Sequence, residues 1–209
     1  MDLAGRAAPR PIYLWMAAAI FAAGIASASR AGAILLVFEA VVGLCLLGKE
    51  KVALRFILAA LLLVPIAGAG TLLGRFDDPD PMLYRREIAH STLQMIGEHP
   101  WKGYGLGTFR DVYPAFATFD AGAVVEHAHN EWLEWAAEGG LPYAALWLLL
   151  AASIAPRAIR TIWGLGVVAV FLHALVDYPF ERHGLTAWNF ALIGILNAEG
   201  VREVSPGVH

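Results

Sequence analysis

The run His127-Ala128-His129-Asn130-Glu131-Trp132-Leu133-Glu134-Trp135 places two imidazoles and two carboxylates directly before an apolar stretch that continues through Gly139-Gly140-Leu141-Pro142-Tyr143 to about Ser153. An ionisable group at the mouth of a membrane helix is costly and is rarely idle. Imidazoles in such a place suit either proton transfer near neutral pH or metal ligation. The metal reading is the weaker one. His127-x-His129 supplies two ligands, His90, His99 and His183 lack i, i+4 spacing, and a catalytic zinc needs three protein ligands with an open position. We therefore expect no metal site. Further along, His173 and Asp177 stand four residues apart and share a helix face, as a structural His–Asp bond or as a pair that orients His129 or a substrate hydroxyl.

Three arginines could meet an anion. Arg30, with no acidic residue beside it, can snorkel to headgroups or wait for an anionic ligand. A planar, permanently charged fork suits phosphate oxygens. Arg85 and Arg86 lie on a predicted amphipathic helix and would either anchor it to phospholipid or bind such a ligand. Gly103-Tyr104-Gly105-Leu106-Gly107 lacks the preceding strand and following helix of a nucleotide-binding fingerprint, so it reads as a turn that lets the backbone re-enter the bundle.

These residues need a frame, and composition says it is a membrane frame. Of 209 residues 58% are hydrophobic and 16% charged, against about 25% charged in soluble chains. A net charge of -3 gives no basic footprint for nucleic acid. The single cysteine, Cys45, excludes an internal disulfide and a cysteine-based metal site.

With about 20 apolar residues needed per crossing, six spans are predicted. These are Ile12–Ser27, Gly32–Gly48, Val52–Leu73, Glu131–Ser153, Ile159–Val176 and Leu185–Ala198. The expected fold is all-α, a polytopic membrane helix bundle divided as residues 1–73 (three spans), 74–130 (a large loop) and 131–209 (three spans and a short tail). Arg6, Arg10, Lys49, Lys51, Arg55, Arg157 and Arg160 mark the cytoplasmic side. Arg30, the 74–130 loop and the Asp177–His183 loop then face the other side, which in a bacterial inner membrane is the periplasm. Within the loop, Asp80-Pro81 reads as N-cap and first helical position, and Met82, Ala89, Leu93 and Ile96 as an apolar stripe ending near Gly97 and Pro100. Glu39, mid-span, is the costliest charge in the chain, and no role is evident for it.

Four segments resemble one family in the expected order. His129-Asn130, nine residues, Gly140, two residues and Tyr143 resembles the His-[Asn/Ser/Gln]-x9-Gly-x-x-[Gly/Thr/Tyr] pattern of the O-antigen ligase and polymerase superfamily. His99-Pro100-Trp101-Lys102-Gly103-Tyr104-Gly105-Leu106-Gly107-Thr108-Phe109, Ser29-Arg30-Ala31-Gly32 and His173-Ala174-Leu175-Val176-Asp177-Tyr178-Pro179 resemble its other segments. Members usually carry more spans, so the chain looks like the C-terminal half of one.

The resemblance implies a metal-independent glycosyltransferase, without cofactor, working at the periplasmic face of the inner membrane. Its donor would be an undecaprenyl-diphosphate-linked glycan and its acceptor lipid A-core or a growing polysaccharide. His129 would be the base. Arg30, Arg85 and Arg86 would hold the diphosphate, with Asn130 and Asp177 beside the substrate. The rival is a transporter or channel fragment with Glu39, His173 and Asp177 as an ion path, or a non-catalytic remnant.

Overall fold

The computed structural model describes residues 11–26, 29–48, 50–66, 83–119, 122 and 124–204. Its contacts divide into two units, Met1–Pro81 and Met82–His209. Among the described residues all regular structure is helical.

The first unit contains α1 (Pro11–Ala26), α2 (Arg30–Leu47) and α3 (Glu50–Ile66). Ser29 caps α2 by accepting the Gly32 N–H at 3.1 Å, and Gly48 closes it in the left-handed conformation at φ 58°. A Cβ at Gly24 would sit 2.2 Å from Leu36 Cδ1, so the leucine side chain would have to turn aside. Glu39 lies on α2 with a buried Oε1 that has no partner among the described residues.

The second unit contains α4 (Leu83–Glu98), a single turn α5 (Phe109–Val112), α6 (Glu131–Ala158), α7 (Ile162–His173) and α8 (His183–Val204), with 3₁₀ turns at Tyr113–Ala115 and Pro179–Glu181. Trp135, Ile154, Val167, Phe171, Phe180, Ile193 and Leu196 form its core between α6, α7 and α8. Trp135 stacks on Trp147 with ring centroids 4.2 Å apart. A smaller cluster, including Ile88, Met95, Phe109 and Ala137, seats α4 against α6.

Two expectations change. The helix of the large loop forms, but its buried face is Ile88, Ser91, Thr92 and Met95, while Leu93 is 54% exposed. Small hydroxyl residues admit the close packing that larger side chains on the expected stripe would block, and Thr92 satisfies its own hydroxyl on the Ile88 carbonyl. Asp80, Pro81 and Met82 lie outside the described residues.

The fourth predicted span is not one straight helix. Gly140, at φ 76° and ψ 174°, breaks α6 into Glu131–Gly139 and an apolar part that starts at Leu141. Pro142 sits in the first turn of that second part, where its missing N–H has no helical partner to lose.

Of the six expected crossings, the described residues show one helix that meets the length and composition for a span, Glu131–Ala158; Ile12–Ala26, Gly32–Leu46 and Trp163–His173 are apolar but shorter. Only 11% of its apolar window is buried within the chain, unlike the core helix of a soluble protein.

Candidate active site

The start of α6 is built to hold His129 in an unusual conformation. Asn130 is the N-cap, and its side-chain oxygen accepts the Leu133 N–H at 3.2 Å. Just before it, His129 has φ 51°, the only non-glycine positive φ among the described residues. Side chains with a Cβ seldom adopt this region, and such strain persists only where the surroundings over-determine it.

Those surroundings are two buried glutamates of the same helix. Glu134 accepts the Ala128 N–H at 2.7 Å and lies 2.8 Å from His127 Nδ1, clamping the residues on the His129 approach. Glu131 accepts the Phe180 N–H at 3.1 Å, while its own N–H donates to the Ala174 carbonyl at 2.8 Å. Trp132 Nε1 donates to the Phe171 carbonyl at 3.2 Å. The helix start is therefore tied to the end of α7 and to the loop that follows.

That loop carries Asp177. Its N–H donates to the His173 carbonyl at 3.0 Å, continuing α7 as a turn, and its carboxyl stands 3.6 Å from His173 Nε2 and 3.5 Å from His129 Nδ1. The His129 nitrogen is buried and falls short of a well-aligned hydrogen bond, so the contact is a close electrostatic one. Nδ1 is the ring nitrogen turned to Asp177. On the neighbouring residue, the Arg85 guanidinium of α4 donates to the Val176 carbonyl. One arginine, two imidazoles and one carboxylate thus meet from four parts of the unit.

Burial alone would raise the Asp177 pKa. The facing imidazoles of His129 and His173, the Tyr178 N–H and the Arg85 charge outweigh it and hold the carboxyl well below the ordinary carboxylate range. A carboxyl depressed in the folded state stabilises it fully above the unfolded value of about 3.9, and that contribution is lost as pH falls below this value. The stability difference between the unsubstituted chain and Asp177→Asn, measured by thermal unfolding in detergent micelles, should therefore shrink below about pH 4. A difference that grows with acid in that range contradicts this electrostatic account.

The other expected residues divide. Arg86 is exposed on α4. Arg30 opens α2 in the first unit, and its side chain lies outside what the structure describes. The cap occupies the Asn130 oxygen, so this residue shapes the helix start as well as standing beside His129.

The glycine-rich segment is a turn wrapped around the α6 kink. Tyr104 and Gly105 N–H groups donate to the Ala137 and Glu138 carbonyls at 3.0 and 2.8 Å, and the Leu141 N–H reaches the Pro100 carbonyl at 2.7 Å. Gly107 and Phe109 N–H groups are occupied by the Glu138 carboxyl at 2.9 and 2.8 Å, as a phosphate cradle would not allow. Cβ atoms at Gly103 and Gly140 would lie 2.2 Å from Glu138 O and 2.5 Å from Trp101 O, so the wrap requires both glycines. Among the described residues no group of three potential metal ligands converges.

Sequence reasoning missed the structural work of Glu131, Glu134 and Glu138. It read the first two only as acids suited to the helix dipole. Their spacing of three and four residues, one helix face in a chain poor in charge, was the available signal.

A family model described as O-antigen ligase matches residues 15–148, a stretch that contains Arg30, Arg85 and His129 but ends before His173 and Asp177. No curated protein and no solved structure matches the chain.

Proposed function

The chain belongs to the O-antigen ligase family, a membrane protein family of glycan-transferring ligases and polymerases, and on that premise we propose that His129 is the general base of a glycosyl transfer. The donor is a glycan on undecaprenyl diphosphate and the acceptor is lipid A-core or a growing polysaccharide. The reaction takes place at the periplasmic face of the bacterial inner membrane, in a multi-pass protein. The observation that carries this reading is the strained His129, with its Nδ1 against Asp177 and Arg85 on the adjoining residue.

The chemistry balances with groups of these types. The acceptor hydroxyl gives its proton to His129 Nε2 as its oxygen bonds to the anomeric carbon of the donor sugar. The bond from that carbon to the diphosphate oxygen breaks, and the oxygen keeps the electron pair. Asp177 holds the ring orientation and stabilises the imidazolium that forms. Arg85, with Arg86 as a further cation, offsets charge growing on the leaving diphosphate. Apart from the Val176 bond, the Arg85 fork carries no other hydrogen bond among the described residues.

A diphosphate ester is already an activated leaving group, so neither nucleotide nor metal takes part in this account. Membranes containing the chain, given undecaprenyl-diphosphate-linked glycan and acceptor, should form the transferred product, and EDTA should leave the rate unchanged. Loss of product with EDTA and its return with a divalent ion would sink the metal-independent mechanism.

A further inference from the structure

A cavity of about 410 Å³ opens beside His127, and His129 does not line it. Its volume falls in the range of roughly 300–1,000 Å³ common to small-molecule sites. His127, Glu134 and Glu138 line it together with Trp135, Tyr143 and Leu106. Its arginine, Arg110, is paired with Glu126 at 3.2 Å at the exposed rim. His127 is fixed on two sides, with Nδ1 2.8 Å from Glu134 Oε1 and its ring stacked on Tyr178 at 4.4 Å. Tyr178 in turn lies 5.1 Å from the His129 ring, so one aromatic side chain touches both histidines.

The lining selects against the donor's diphosphate. Carboxyl groups outnumber cations, and the one arginine already has an acid partner. Carboxyl oxygens accept hydrogen bonds, which suits a ligand rich in hydroxyl donors, and aromatic walls suit the apolar faces of a sugar ring. We propose that this cavity seats the uncharged terminal sugar of the acceptor, with His127, positioned by Glu134, holding one hydroxyl while another reaches His129 past Tyr178. The assignment rests on the glycan-transfer reading above. It divides the substrates by charge, with diphosphate at Arg85 and neutral sugar at His127.

Two measurements on the full chain test it. The first is the dependence of transfer on acceptor and on donor concentration in membranes carrying His127→Gln or Leu106→Trp. The tryptophan replaces an exposed rim residue and fills the mouth without disturbing the buried acids. His127→Gln should raise the acceptor KM roughly tenfold, the loss expected for about one hydrogen bond, and Leu106→Trp should raise it by occlusion, with the donor KM unchanged in both.

The second measurement is saturation-transfer NMR on purified protein with a neutral trisaccharide and its phosphorylated counterpart. The neutral sugar should give signal with the unsubstituted chain and lose it in both variants. A fall in kcat at unchanged acceptor KM, absence of neutral-sugar signal, or stronger signal from the phosphorylated sugar would each overturn the assignment. Sugar binding lost in the variants from a chain that transfers nothing would keep the cavity assignment and remove the transfer reading instead.

Discussion

Arg85→Ala should cut glycan transfer by about two to three orders of magnitude, the usual cost of removing one donor that stabilises a developing oxyanion. Arg85 joins α4 to the loop at Val176, beside the carboxyl of Asp177. Its charge is shared between a backbone carbonyl and a neighbouring acid, which fixes the fork without using all of it. A guanidinium presents five donors in a rigid plane, and phosphate oxygens accept two of them side by side. Arg85→Lys keeps the charge but not that pairing, so it should recover only part of the rate. If Arg85 merely braces the Val176 carbonyl, the loss is one hydrogen bond worth about 1 kcal/mol of stability, and both variants transfer normally once folded. Steady-state transfer at matched protein levels in the membrane separates the two.

The parts of the site that sequence made legible are those set by local position. His129 stands at the junction of a polar loop and an apolar helix, and that boundary alone marks it. Asp177 was tied to His173 by a one-turn spacing, and the structure brings His129 to the same carboxyl. The end of the helix at Leu83–Glu98 followed from the breaker residues Gly97 and Pro100. What sequence concealed depends on distant partners. Glu131 and Glu134 look like solvent-facing first-turn acids until the N–H groups of Phe180 and Ala128 donate to them in the interior. The kink at Gly140 was readable in principle, since Gly139-Gly140-Leu141-Pro142 is a poor helix interior, but hydropathy runs smoothly across it. The buried face of α4 shifted because Ser91 and Thr92 pack as small residues, a choice made by the neighbouring α6 and not by α4's own periodicity.

His129→Asn is the replacement that isolates the imidazole. Asparagine tolerates left-handed backbone better than alanine does, so φ 51° at this position can survive the change. Asn130 still caps α6, and the Glu134 clamp on Ala128 is untouched. What disappears is the proposed base, the imidazole whose Nδ1 faces Asp177. Loss of a general base typically costs 10² to 10⁴ in rate, far beyond a capping or strain defect of about 1 kcal/mol. The decisive measurement is the initial rate of glycan transfer from an undecaprenyl-diphosphate donor by membranes holding equal amounts of the unsubstituted and His129→Asn chains. The account predicts a fall of at least about a hundredfold with the protein still inserted; a rate within a few-fold of the unsubstituted chain would contradict it.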